Sequence, residues 1–321
     1  MRSWYDRASF NRLILSVVYL DFFGLTEQPF SIAPNPNYLF LSDRHKEALA
    51  HLTYGLGDAG GFVLLTGEVG TGKTTVTRRM LDSIGEETQV ALVLNPSLSE
   101  LELLASICDE LRIRYKKSEA TLKNLTDKIK NRLLKNHSLD KRTMLVIDEA
   151  QHLSAAVLEQ LRLLTNLETN QRKLLQIILV GQPELQHLLR RNELRQLAQR
   201  ITARYHLMPL NEAEVFAYVK HRLYIAGTQD ALFDNGAIKK IHELTGGIPR
   251  LINLLCERAL MGAFANSQKR VNKSMISTAA LEILPLEAHA KQQNSASHLP
   301  WLYACVACVA LLVGVGLSFL L

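Results

Sequence analysis

The sequence predicts an α/β fold in which a parallel sheet is wrapped by helices. A small all-helical unit and a C-terminal apolar helix follow it. Three observations predict this. Short apolar runs recur along the first two thirds of the chain, as strands buried on both faces require. Longer stretches with helical spacing separate them, the alternation that crossover helices produce. After Pro209 the strand-like runs stop and helical patterns alone remain.

The elements follow in order. Met1–Val18 carries Arg2, Arg7 and Arg12 ahead of a short apolar run, but Ser16 interrupts that run and no small-x-small cleavage site precedes Asp21. The segment reads as an extension without a structural role; an amphipathic membrane-surface helix is the alternative. Phe30–Tyr38, with Pro34, Asn35 and Pro36, reads as an entry loop. Ser42 and Asp43 precede a helical pattern over His45–Leu56, with Ala48, Leu49, Leu52 and Leu56 on one face. Five strand-like runs come next: Phe62–Thr66, Val90–Leu94, Met144–Ile147, Leu175–Val180 and, more weakly, Tyr205–Met208. Helical patterns cover Ser99–Leu111 and Ala155–Leu167. The Lys-rich region Arg112–Lys135 reads as a solvated face with Leu122, Leu125, Ile129 and Leu133 turned inward.

Beyond Pro209, Glu212–Ala226, Gly236–Thr245, Pro249–Ala265 and Lys273–Leu284 read as helices. Pro285–Leu299 is polar, rich in small residues and without periodicity, so it reads as a linker. Trp301–Leu321 holds 21 residues without a charge. A helix of that length spans about 32 Å, which matches a bilayer's hydrocarbon core. The expected organisation is an extension (1–18), a sheet-bearing core (19–210), a helical lid (211–284), a linker (285–299) and a membrane helix (300–321).

Composition removes other classes. The 321 residues carry 37 basic against 31 acidic side chains, a net charge of +6, and 47% are hydrophobic. Enough apolar surface exists to offset ordering entropy, which excludes a disordered or collagenous chain. Four cysteines make no disulfide framework. Cys305 and Cys308 fall inside the apolar helix and read as packing residues. His51, His152 and His221 have no partners at metal-ligand spacing.

The residues that carry chemistry begin with Gly67-Glu68-Val69-Gly70-Thr71-Gly72-Lys73-Thr74, a full G-x-x-x-x-G-K-[ST] loop, with Thr75 following it into a helix. Phosphate groups need a loop whose backbone N–H groups all point inward, a path that glycine permits. Lys73 would reach the β- and γ-phosphates and the Thr74 hydroxyl would ligate Mg²⁺. A buried strand then ends in Asp148 and Glu149. Asp148 would hold the Mg²⁺ shell, and Glu149 would orient water for attack on the γ-phosphate of ATP. The alternative for Glu149 is a helix cap. Gln182 ends another buried strand, expected between the other two; it either bridges the attacking water or serves as a turn residue before Pro183. Arg190, Arg191, Arg195, Arg200 and Arg204 crowd one segment. Arg200, at a helix end before the last strand, is the candidate for a finger supplied to a neighbouring subunit, with Arg204 as runner-up. Arg250, in the first turn after Pro249, is a candidate phosphate sensor.

Together these residues resemble the AAA+ P-loop ATPases of the ExeA/GspA type, a group that includes pilus-biogenesis ATPases of the MSHA kind. The matching stretches are Tyr19–Gly24, Pro29-Phe30, Gly61–Thr75, Leu145–Leu153, Leu161–Glu168, Gly181–Leu185, Gln196–Ile201 and Gly247–Leu254. Family members start near a Met-Tyr-Leu, which places the expected start near Val18. The resemblance implies a homo-oligomeric ring or partial ring on the cytoplasmic side of a bacterial inner membrane. It also implies ATP and Mg²⁺ as cofactors and inner-membrane secretion or pilus assembly components as partners. Membrane attachment is expected through the C-terminal helix, and no nucleic acid is expected. The competing reading is a DNA-handling ATPase of the transposition-helper class, which shares the loop and the sheet. A nucleotide-gated scaffold is a third.

Overall fold

The computed structural model describes residues 19–33, 35–55, 61–94, 96–169 and 173–283. Five strands, β1 (Gly61–Gly67), β2 (Thr88–Val93), β3 (Arg142–Ile147), β4 (Gln176–Gly181) and β5 (Ile201–Leu207), form one sheet in the order β2-β3-β4-β1-β5. Every neighbouring pair is parallel. Parallel neighbours require crossover connections, so helices must cover both faces.

The helices named among the described residues are α1 (Asp43–Gly55), α2 (Lys73–Asp82), α3 (Glu100–Glu110), α4 (Leu122–Ser138), α5 (Ala155–Leu164), α6 (Pro183–Leu189), α7 (Arg195–Ala198), α8 (Glu212–Ile225), α9 (Asn235–Thr245), α10 (Pro249–Ala265) and α11 (Lys273–Ile283), and of these α1 and α2 cover one face and α3, α4 and α5 the other. Their starts follow from local chemistry. Ser99 and Glu102 close a capping box at α3, and Ser154 and Thr121 cap α5 and α4 through their hydroxyls.

The strand period of two sorts the core. Phe62, Leu64, Leu145, Ile147, Ile177 and Leu179 face α3, α4 and α5. Val63, Leu65, Met144, Val146, Ile178 and Val180 face the other way, onto Ala48 and Leu52 of α1 and Val76 and Met80 of α2. Each such side chain, fully buried, stabilises the fold by about 1.5–3 kcal/mol. Leu125, Ile129 and Leu133 form the inward stripe of α4, as expected. Leu122 does not: it is the first residue after the Thr121 cap and stands 40% exposed.

The central strands match their apolar runs, and the edges depart from them. β5 reads ITARYHL, its first four residues alternating between half-buried and exposed; it begins at Ile201 rather than Tyr205, and Met208 lies past its end. One face of an edge strand meets solvent, which admits Thr202 and Arg204.

The described residues make two compact units. One comprises Ile32–Ile225 and Gly246–Ile252; the other comprises 19–31, Ala226–Thr245 and 253–283. The second is helical. In it Tyr19 Oη donates to Glu257 Oε1 at 2.9 Å, and the Phe22 ring meets Phe264 edge-on at 5.3 Å. Among the described residues no helix is long and apolar enough to cross a membrane. Met1–Val18, Pro285–Leu299 and the expected span Trp301–Leu321 lie outside the described residues.

Candidate active site

Register brings the chemistry to one edge of the sheet. Thr66 of β1 pairs with Gly181 of β4, and Ile147 of β3 pairs with Leu179, so the loop after β1, Asp148 and Gln182 emerge side by side. β4 lies between β1 and β3, as the expectation for Gln182 required. Ligands of open α/β sheets bind at this carboxyl edge.

The loop Gly67–Thr74 closes on itself before α2 begins. Thr71 donates through its N–H and its hydroxyl to the Glu68 carbonyl, at 3.3 and 2.9 Å. Gly70 and Gly72 hold φ of 84° and 103°, the left-handed region. Gly72 is the N-cap of α2 and supplies no side-chain cap, so the first N–H groups of that helix are left for an anion. Lys73 is buried, and its ammonium donates to the carbonyls of Gly67 and Glu68 at 2.8 and 3.0 Å. Burial pulls its pKa down, while Glu149, Asp148, Glu68 and Glu184 act the other way. Thr75 is exposed on the first turn of α2.

Asp148 is buried at the end of β3. Its Oδ2 accepts from the Thr74 hydroxyl at 3.0 Å and its Oδ1 from the Glu149 N–H at 2.9 Å. A hydroxyl and a carboxylate paired beside an anion cradle are oxygen donors of the kind Mg²⁺ takes, so the residues present fit that ion. Glu149 sits at φ 53°, ψ 36°, an uncommon conformation for a residue with a side chain. Its Oε2 accepts from Gln151 Nε2 at 2.6 Å and from Gln182 Nε2 at 3.3 Å. The Gln151 bond leads in holding the carboxyl below its ordinary value of 4.5; burial opposes it, and Gln182 and Lys73 assist.

Arg200 and Arg204 meet other partners. Arg200 Nη1 donates to Thr165 Oγ1 at the end of α5, at 3.1 Å, and Arg204 Nη2 donates to the Ala198 carbonyl at 2.7 Å. Arg250 meets the loop through its backbone: its N–H points to the Gly70 carbonyl at 3.3 Å, and its side chain is exposed. A Cβ on Gly70 would stand 2.6 Å from Arg250 Cβ, so the glycine admits this approach.

Two participants were not foreseen. Gln151 is one; the signal for it was its place in the stretch Leu145–Leu153. The other is His45, buried beneath the loop. A carbonyl can only accept, so His45 Nε2–H donates to the Thr71 carbonyl at 3.1 Å and Nδ1 accepts from the Ser42 hydroxyl at 2.7 Å. A Cβ on Gly72 would stand 2.8 Å from Nε2. No spacing rule links residues 45 and 72.

An AAA domain family matches residues 57–189. General secretion pathway protein A of Aeromonas hydrophila is 59% identical over 266 residues, covering 83% of this chain and 48% of that protein. The chain thus spans about half the length of the curated relative it matches. Among solved structures, Cdc6p from Pyrobaculum aerophilum superposes with a TM-score of 0.63 at 18% identity, over 80% of this chain and 70% of that one. The ORC2 protein of Aeropyrum pernix, solved in ADPNP–ADP complexes, gives 0.58 at 18%, over 79% and 71%. At those identities the likeness is of fold. The phosphate loop, the paired acids, the AAA domain match and the 59% identity to general secretion pathway protein A converge on one assignment: the chain carries an AAA ATPase domain.

Proposed function

We propose that this chain uses ATP binding and hydrolysis to support assembly of a type II secretion or type IV, MSHA-like, pilus apparatus at the bacterial inner membrane. The observation that supports the secretion setting is the 59% identity over 266 residues to a general secretion pathway protein. In this reading 19–210 is the ATPase core and 211–284 its lid. Trp301–Leu321 is the single membrane span that holds the ATPase on the cytoplasmic side, where ATP is available.

The residues act together at the sheet edge. The loop N–H groups from Gly67 to Thr75 and the Lys73 ammonium take the phosphate charge. Thr74 and Asp148 would hold Mg²⁺, which when bound neutralises charge on the phosphates. Glu149, kept ionised, orients the attacking water and accepts its proton, with Gln182 alongside. Arg200 reaches a neighbouring subunit's site and Arg250 senses the phosphate of its own. Subunits assemble as a ring or partial ring. Likeness of fold to replication proteins lends no weight to the DNA-handling alternative.

The test is genetic. Deletion of the gene should abolish surface pili or a secreted product, and the wild-type gene should restore it where Glu149→Gln does not. Restoration by Glu149→Gln would overturn the need for turnover. Normal pili and normal secretion in the deletion strain would overturn the assembly role.

A further inference from the structure

Gln151 occupies the single turn Ala150–His152 that follows Glu149. Its side-chain amide is used at both ends. Nε2 donates to Glu149 Oε2 at 2.6 Å, and Oε1 accepts from the backbone N–H of Gln182 at 3.0 Å. Turning the amide over would set two oxygens face to face at Glu149 and two N–H groups face to face at Gln182, so the network itself fixes the orientation.

The strand end leaves room for this reach. A Cβ on Gly181 would stand 2.8 Å from Gln151 Oε1 and 3.3 Å from its backbone N. Real Cβ atoms do not approach that closely, so glycine at 181 is the condition for the amide to enter. Glu149 needs such a restraint. It sits on a turn in a left-handed conformation, and its chain has three rotatable bonds with which to lose alignment.

We infer that Gln151 is a positioning residue for ATP hydrolysis: it locks the Glu149 carboxylate to the end of β4, so that water-orienting acid and Gln182 move as one unit. A displacement at Gln182 is then transmitted to Glu149 through the Gln151 amide as well as through the longer direct bond from Gln182 Nε2. This extends the reading of Glu149 as the water-orienting residue and rests on it.

The experiment measures ATP turnover by the full chain against ATP concentration for wild type, Gln151→Ala, Gln151→Glu and Glu149→Gln. Gln151→Ala should lower kcat about tenfold to a hundredfold, the rate equivalent of one hydrogen bond to a charged group, with KM for ATP changed by less than about twofold. Gln151→Glu keeps the volume and the acceptor but sets a second carboxylate beside Glu149. It should show the same fall in kcat at a nearly unchanged KM, and it decides the matter if Gln151→Ala does not fold.

Wild-type kcat in both Gln151 variants, with Glu149→Gln inactive, would overturn the inference and leave Glu149 its role. Loss of ATP affinity in step with kcat would overturn it too, by making Gln151 part of the binding frame. Wild-type turnover by Glu149→Gln would remove the underlying reading itself.

Discussion

The Thr74 hydroxyl donates to Oδ2 of Asp148 across 3.0 Å, joining the first turn of α2 to the end of β3. Two oxygen ligands suited to a divalent cation thus stand together before any nucleotide arrives. Thr74→Val keeps the shape and removes the oxygen. It should weaken ATP affinity measured with Mg²⁺ about tenfold and leave affinity measured in a chelator unchanged, the difference being one lost ligand. Equal weakening under both conditions would show that Thr74 serves the loop and not the cation.

Lys73 and Glu149 should fail differently. Lys73→Ala removes the charge facing the phosphates and should abolish nucleotide binding. Glu149→Gln removes the carboxylate that positions water, so ATP should stay bound while hydrolysis falls by about 10²–10⁴-fold. Equilibrium binding and single-turnover hydrolysis, measured on the same preparations, separate the two.

Arg200 donates to Thr165 within its own chain, away from its own Glu149. Arg200→Ala should therefore bind ATP normally and hydrolyse it slowly. Mixing it with Lys73→Ala protein should restore turnover, since each variant supplies what the other lacks. Flat activity at every mixing ratio would place the arginine's action in cis or pass the role to Arg204.

His45 makes a pH-dependent contribution. Burial holds its pKa below 6.5, with the Thr71 carbonyl and Glu214 pulling the other way. The unfolded chain therefore binds a proton that the folded chain refuses. His45 stabilises the fold in full above 6.5, and that contribution is lost as pH falls from 6.5 toward the lowered value. His45→Gln should flatten this part of the curve, read as thermal midpoints between about pH 5 and 8. Parallel curves for the two proteins would show that another group titrates.

What could be read in advance followed burial. β1, β3 and β4 lie in the middle of the sheet and had to be apolar throughout, so FVLLT, MLVI and LQIILV announced them. β5 lies at an edge, and Thr202 and Arg204 hid its first half. Lys73 with Thr74, and Asp148 with Glu149, stood out as candidates because each pair is adjacent in sequence. Gln151 and His45 did not. Each acts through a hydrogen bond to a residue about thirty positions away, a pairing that exists only once the sheet has assembled. Leu122 misled because helical spacing alone does not register that a helix has just begun.

The Arg250 N–H that rests on the Gly70 carbonyl belongs to a short segment, Gly246–Ile252, returning to the sheet-bearing unit after an excursion through the helical one. On the ribosome, this unit therefore cannot be completed when β5 emerges. At about 5–20 residues per second, some 10–40 s separate synthesis of the phosphate loop from synthesis of Arg250. Through that interval the nascent loop lacks its last neighbour. Fragments that stop at Ile225, although they contain every strand of the sheet, keep it in that unfinished state permanently.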